Sequence, residues 1–276
     1  MSEEFWSNFA KREAQRNHDN PEDYIYYRLV SHTLTSFVSH EDSVLDIGGG
    51  PGRFSLDLAP LVKTIEHVDF SQAMLDLAAE EAQRRGIKNI SFVKADARDL
   101  ARYSDRAFDK VLSVNTPVSF SEREWKVALA ETCRVAGKAA LFTVSNFISC
   151  FPVILDLSLR TGASWDAFAS TMFQEHFFES SKAKPFGIEF PSYQAFLPEE
   201  IESEIDRLGW DIAVIQGIAI LCRLMSPESL KMVVNDEALV ARFLEFETAV
   251  ARRYGKWAPS RELLFLVTRR PDNQRA

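Results

Sequence analysis

Seven consecutive residues, Asp46-Ile47-Gly48-Gly49-Gly50-Pro51-Gly52, hold the clearest chemical signal in the chain. They follow an apolar run, Val44-Leu45-Asp46-Ile47, and precede a short helical pattern from Phe54 to Leu61, which predicts a strand, a tight turn and a helix. Glycines let the backbone turn sharply and lie against a ligand with no Cβ in the way. The pattern is D-x-G-x-G-x-G. A dinucleotide fingerprint needs G-x-G-x-x-G, and its last place falls on Arg53 when counted from Gly48 and on Ser55 when counted from Gly50. An NAD-dependent oxidoreductase is disfavoured by that spacing. Three further polar residues stand where apolar runs end: Asp69 in His67-Val68-Asp69-Phe70-Ser71, Asp96 in Lys94-Ala95-Asp96-Ala97, and Asn115 in Asn115-Thr116-Pro117-Val118. Singly, each reads as a loop residue or a helix cap. In this order, at successive strand ends, they read as one ligand site.

In these pieces the chain resembles the class I S-adenosylmethionine (SAM)-dependent methyltransferases. Asp-Ile-Gly-Gly-Gly-Pro-Gly-Arg at 46–53 is similar to the family's first motif, in the form found in many small-molecule methyltransferases. The resemblance implies SAM as the cofactor, with S-adenosylhomocysteine as product. Asp46, Gly48, Gly50 and Gly52 would form the cofactor loop. Asp69, with Phe70 beside it, would grip the ribose hydroxyls, since one carboxylate can accept two bonds from a vicinal diol. Asp96 would meet the adenine amino group and the Ala97 N–H a ring nitrogen. Asn115 would sit where the SAM and acceptor pockets touch. The likeness covers 44–146 well and 198–269 loosely, and 147–196 matches nothing specific. The N-P-P-Y or D-P-P-Y motif of some nucleic-acid and protein methyltransferases is absent at 115–118, where Thr116 and Val118 replace its second and fourth residues.

A helix before the first strand covers the SAM methionine tail in related enzymes, and Arg28 is the expected partner of that carboxylate. Tyr24 and Tyr27, three residues apart on one helical face, are expected to roof the pocket or to pack there. Methyl transfer needs alignment, desolvation and, for some acceptors, a base. The base candidates are His176, Tyr193 and Glu189, with Asn115, His176 and Tyr193 taken as the catalytic set; a lone histidine is more often structural. No HxxxH or HxH cluster occurs, so no metal is expected.

The elements that position these residues alternate. Strands are expected at 44–47, 64–70, 90–94, 108–114, 139–144, within 210–220 and at 263–268. Helices are expected between them, one capped by Ser71 and stopped by Gly86, one capped by Ser121, running to Val135 and ended by Gly137, and one opened by Pro198. The fold class is α/β: a doubly wound, mostly parallel seven-stranded, Rossmann-like sheet whose last strand the resemblance makes antiparallel. The expected organisation is an N-terminal helical cover (1–42), a SAM-binding core (43–146), a lid or substrate insertion (147–197) and a C-terminal completion of the sheet (198–270). The insertion holds nine of the 21 phenylalanines (147, 151, 168, 173, 177, 178, 186, 190, 196) together with Trp165 and Tyr193. Aromatic faces attract a sulfonium, although most of these rings read equally well as the insertion's own core.

The 276 residues carry a formal net charge of −8, and no basic run exceeds a pair such as Arg84-Arg85. An acidic surface repels phosphate backbones, so a small-molecule acceptor is expected and a nucleic acid is not. Cys133, Cys150 and Cys222 lack CxxC spacing and read as buried thiols. The acidic Met1-Ser2-Glu3-Glu4 start is unlike a signal peptide, and no run of apolar residues is long enough to span a membrane, so a cytoplasmic enzyme, monomeric or homodimeric, is expected. The leading expectation is methyl transfer to N, O or C of a small molecule. The alternatives are a cyclase acting on SAM's own side chain, giving azetidine-2-carboxylate and 5′-methylthioadenosine, and a non-catalytic SAM-binding regulator.

Overall fold

A computed structural model describes residues 3–162 and 166–271, so Trp165 of the aromatic insertion lies outside the described residues. Two helices, α1 (Glu3–Asp19) and α2 (Pro21–Phe37), precede the sheet. Asn20 separates them: its side chain accepts the Glu22 N–H at 2.9 Å, and Pro21 takes the first helical position. The alternating core follows as β1 (Ser43–Ile47), α3 (Ser55–Leu58), β2 (Thr64–Asp69), α4 (Gln72–Arg85), β3 (Ile90–Lys94), β4 (Phe108–Ser113), α5 (Pro117–Phe120), α6 (Trp125–Val135) and β5 (Ala136–Asn146). The insertion contributes α7 (Cys150–Thr161), α8 (Asp166–Glu175), β6 (Phe177–Phe178), α9 (Ser180–Ala183) and β7 (Tyr193–Phe196). The chain closes with α10 (Pro198–Arg207), β8 (Trp210–Ile218), α11 (Pro227–Val234), α12 (Glu237–Tyr254) and β9 (Glu262–Arg269).

The core sheet runs β3-β2-β1-β4-β5-β9-β8, parallel except where β9 lies antiparallel between β5 and β8. These are the seven expected strands. The described residues form nine strands because the insertion adds a β6–β7 ribbon, joined to the end of β5 through Ser145–Ala195 and Asn146–Phe196. Strands buried on both faces read as continuous apolar runs, and β1 is of that kind: Val44, Leu45 and Ile47 are fully buried. Phe142 of β5 and Phe265 of β9 pair across the antiparallel seam with parallel rings 5.3 Å apart. Each fully buried ring stabilises the fold by about 1.5–3 kcal/mol.

One face of the sheet packs on α2, α11 and α12 through Ile25, Leu34, Leu230 and Val240; the other packs on α6 and α10 through Leu129, Ile201 and Ile205. Three local expectations are corrected. Ser121 does not open one long helix to Val135; a turn of α-helix and a 3-10 turn precede α6. Ser71 stands before α4 without a side-chain cap, its hydroxyl facing Ser7 at 3.1 Å instead. Gly137 does not end α6 but lies within β5, which begins at Ala136. Among the described residues no helix is long and apolar enough to cross a membrane. Several insertion phenylalanines form that segment's own core: Phe147 and Phe178 are buried around Ile154 and Met172, with Phe151 and Phe186 packed beside them.

Candidate functional site

The sheet reverses its winding between β1 and β4, and the loops leaving those two strands meet there. Open α/β sheets bind ligands in such a crevice. A Cβ on Gly48, at φ +68, would come within 2.6 Å of Pro117 Cγ, so only glycine allows the two loops this approach. Gly50 also has positive φ (+58), with nothing within 4 Å of its Cβ direction, so this part of the loop faces open space.

That space is a cleft with about 950 Å³ of empty volume, including its opening to solvent. Its wall includes Asp46, Gly48 and Gly50 after β1, Asp69 and Phe70 after β2, Asp96 and Ala97 after β3, and Asn115 after β4. Gly52, the remaining glycine of the expected set, lies behind the loop, facing Leu56 and Ala78. Asp69 is buried and accepts the N–H of Gly50 at 3.0 Å and of Ser71 at 2.9 Å, with burial raising its carboxyl above the usual range. Asp96 meets Arg98 through Nη2 at 2.6 Å and Nε at 2.9 Å. Burial alone would raise the Asp96 carboxyl, but the guanidinium and the Arg98 N–H outweigh that and hold it low. Asn115 and Thr116 both have positive φ, +63 and +67. For β-branched Thr116 this conformation is costly. It turns the chain so that Asn115 faces the cavity while the Thr116 N–H reaches Thr143 Oγ1 at 3.2 Å.

A buried chain of hydrogen bonds braces the glycine loop from below. The Asp46 carboxylate meets the Ser55 hydroxyl, Ser55 Oγ lies 2.8 Å from His67 Nδ1, and His67 Nε2 lies 3.0 Å from the Gly50 carbonyl. Ser55 has one proton to donate, so satisfying all three contacts takes an Nε2–H on His67 and one more proton on Asp46 or Nδ1. Burial pushes the Asp46 carboxyl up to about 6 and the His67 imidazole down, and both shifts favour Asp46 over Nδ1 as the holder of that proton.

Sequence reasoning missed the cavity's other wall. It comes from α1, whose Trp6 and Glu13 line the space together with Arg53 and Phe120. Trp6 and Phe120 meet edge to face at 5.1 Å. Arg53 Nη2 donates to Glu13 at 2.9 Å, whereas its buried Nη1 has no hydrogen-bond acceptor among the described residues. Two signals pointed here: Arg53 closes the glycine motif, and Trp6, Phe9 and Glu13 share a helical face.

Arg28, Tyr24 and Tyr27 are not at the cavity. They sit on α2, where Arg28 pairs with Glu237 at 2.7 Å and donates to the Tyr24 hydroxyl at 2.6 Å, while Tyr27 donates to Asp57 and stacks on Phe54. Those contacts hold α2 to α12 and α3.

A second chamber of about 1960 Å³ adjoins the first and shares Trp6, Glu13, Asn115 and Phe120 with it. Tyr193 and Glu189 lie on its wall. Burial and the Cys150 thiol, 3.7 Å away, push the Tyr193 phenol well above its usual range, so it stays protonated. His176 reaches neither space; it stacks on Phe147 at 3.9 Å and its Nδ1 meets Glu200 at 2.9 Å.

Residues 44–138 match the family model described as a methyltransferase domain. The uncharacterized methyltransferase YcgJ of Bacillus subtilis (strain 168) is 29% identical over 116 residues, 42% of this chain and 45% of that protein. A 23S rRNA (uracil(1939)-C(5))-methyltransferase, RlmD of Haemophilus influenzae, is 31% identical over 121 residues, 43% of this chain and 25% of that protein. The aligned stretches thus span less than half of either curated relative. Among solved structures, a SAM-dependent methyltransferase of Methanosarcina mazei superposes with a TM-score of 0.56 at 15% identity, over 86% of this chain and 96% of that one. Residues 44–138 thus match a methyltransferase domain, and the sheet shares its fold with a solved SAM-dependent methyltransferase.

Proposed function

We propose that the protein transfers the methyl group of SAM to a small-molecule acceptor. The observation that carries this reading is the meeting of two spaces at Asn115, Trp6 and Phe120: a cavity lined by the glycine loop and the strand-end acids, and a larger chamber beside it. The residues present fit SAM. Gly50 leaves open space, Asp69 suits a ribose diol, and the orphaned Nη1 of Arg53 beside Glu13 suits an amino acid zwitterion, with Arg53 on the carboxylate and Glu13 on the ammonium. Bound there, SAM would supply an electrophilic methyl group on a sulfonium, with neutral S-adenosylhomocysteine as its leaving group. The chain's part is to hold donor and acceptor in line across the Asn115 junction and to exclude water with Trp6 and Phe120.

An RNA acceptor gains little from the rRNA-modifying relative, because the match covers only 25% of it and this chain carries a net charge of −8. The test is incubation of pure protein with SAM alone, with a metabolite extract and with total RNA, followed by mass spectrometry. S-adenosylhomocysteine formed only with the extract supports the reading. Formation of 5′-methylthioadenosine from SAM alone replaces it with chemistry on SAM's own side chain. Methylated RNA replaces the acceptor class.

A further inference from the structure

The second chamber has a sided character. One wall is aromatic: Phe178 and Tyr193 stack at 5.2 Å, and Phe190 meets the Tyr193 ring edge to face at 5.9 Å. The rest of the lining includes charged residues, and most of their charges are already matched. Arg16 contacts Glu13 at 3.0 Å and Asp23 at 2.9 Å; Arg261 pairs with Asp23 and approaches Glu262 at 3.6 Å. The Tyr26 hydroxyl also donates to Glu262, at 2.6 Å. Burial raises both the Asp23 and the Glu262 carboxyls, and the arginines beside them act in the opposite sense. At the exposed edge, Arg12 lies over the Phe9 ring at 5.0 Å and Glu189 stands on the insertion.

Among the buried and half-buried charges of this lining, Arg223 is the exception. It is half-buried, lines the chamber, and has no ion pair within 4.0 Å among the described residues; Glu22 acts on it only from farther away. A partly desolvated guanidinium is best stabilised by an anion that can take two of its N–H bonds. Arg223 lines the second chamber and not the cofactor cavity, so the group it holds lies away from the Asn115 junction where methyl transfer would occur.

From the unpaired Arg223 lining the same chamber as an aromatic wall, we infer that the acceptor is an organic acid: an apolar, ring-bearing body against Phe178, Phe190 and Tyr193, and a carboxylate on Arg223. The acceptor atom is at its other end. The carboxylate is therefore not the group methylated, and the product keeps its negative charge. This inference rests on the methyltransferase reading for what happens at the far end, but the binding of an aromatic acid can be tested without turnover.

The probes are naphthalene-2-carboxylate and naphthalene-2-carboxamide, titrated calorimetrically into the full chain saturated with S-adenosylhomocysteine. The carboxylate is expected to bind about tenfold or more tightly than the amide. Arg223→Gln is expected to erase that preference, and Arg223→Lys to restore part of it, with unchanged melting temperature and unchanged S-adenosylhomocysteine affinity. Equal binding of the two probes, binding of neither, or a preference that survives Arg223→Gln overturns the inference. Turnover is read separately: a methylated product from the metabolite extract that elutes from anion exchange as a neutral species also overturns it. Formation of 5′-methylthioadenosine from SAM alone overturns the methyltransferase reading and leaves the acid-binding result standing.

Discussion

His67 Nε2 lies 3.0 Å from the carbonyl oxygen of Gly50, so a fully buried side chain on β2 fixes the height of the loop that leaves β1. Gly49 is pressed onto the same ring: a Cβ there would stand 2.3 Å from His67 Cε1. Replacing His67 with Ala leaves the Gly50 carbonyl and the Ser55 hydroxyl short of a partner in a buried place, at a cost of about 1–3 kcal/mol. A lower melting temperature and roughly tenfold weaker SAM binding are expected by calorimetry. His67→Gln, which retains a donor, is expected to recover part of both. Unchanged SAM affinity in His67→Ala means that the loop does not depend on this contact.

The pH dependence of stability follows from Asp46. Its carboxyl titrates near 3.8 unfolded and at about 6 in the fold, so the native state holds the proton more tightly. That contribution is complete below about 4 and is lost as the pH rises to about 6, on the order of 2–3 kcal/mol. His67, displaced below 6.5 by burial, acts in the opposite sense: its contribution is present above 6.5 and is lost as the pH falls. Urea unfolding of wild type and Asp46→Asn at pH 4.5, 5.5 and 7 separates the two. The gap between the curves is expected to change in the direction that costs wild type stability as pH rises, whereas parallel curves count against a protonated Asp46.

Arg53 and Arg28 offer a paired test of how the methionine tail is held. Arg53→Met is expected to weaken SAM and S-adenosylhomocysteine binding by about 10–100-fold while leaving 5′-methylthioadenosine, which lacks the amino acid, nearly unaffected. Arg28→Ala breaks only the contacts to Glu237 and Tyr24 and is expected to leave all three affinities unchanged. Equal losses for all three ligands in Arg53→Met assign that arginine a structural role.

His176→Asn probes a residue of plausible type in an unproductive place. Asparagine tolerates the positive φ of +53 found there. Losing the Phe147 stack and the Glu200 contact is expected to lower stability by about 1–2 kcal/mol. With turnover near wild type by S-adenosylhomocysteine release, His176 is structural; a fall in kcat of about a hundredfold restores it as the base.

The sequence by itself determined the sheet and the cofactor loop. Both are written locally: apolar runs alternate with helical spacing, glycines sit where the backbone must turn, and Asp69, Asp96 and Asn115 each follow their own strand. The antiparallel last strand came with the family resemblance carried by those residues, whereas the strand order came from the structure. What only the tertiary structure decided is which face of each helix meets the site. Helical spacing put Tyr24 and Tyr27 on one face, yet could not show that Arg28 and Tyr24 face Glu237, 209 and 213 residues away, rather than the glycine loop. The Arg53–Glu13 pair spans 40 residues, the Trp6–Phe120 contact joins α1 to the loop after β4, and His176 turns onto Phe147 because of how α8 packs in the insertion. Such contacts depend on how separately folded elements dock, and docking is set by complementary packing over the whole core rather than by the spacing of any one segment.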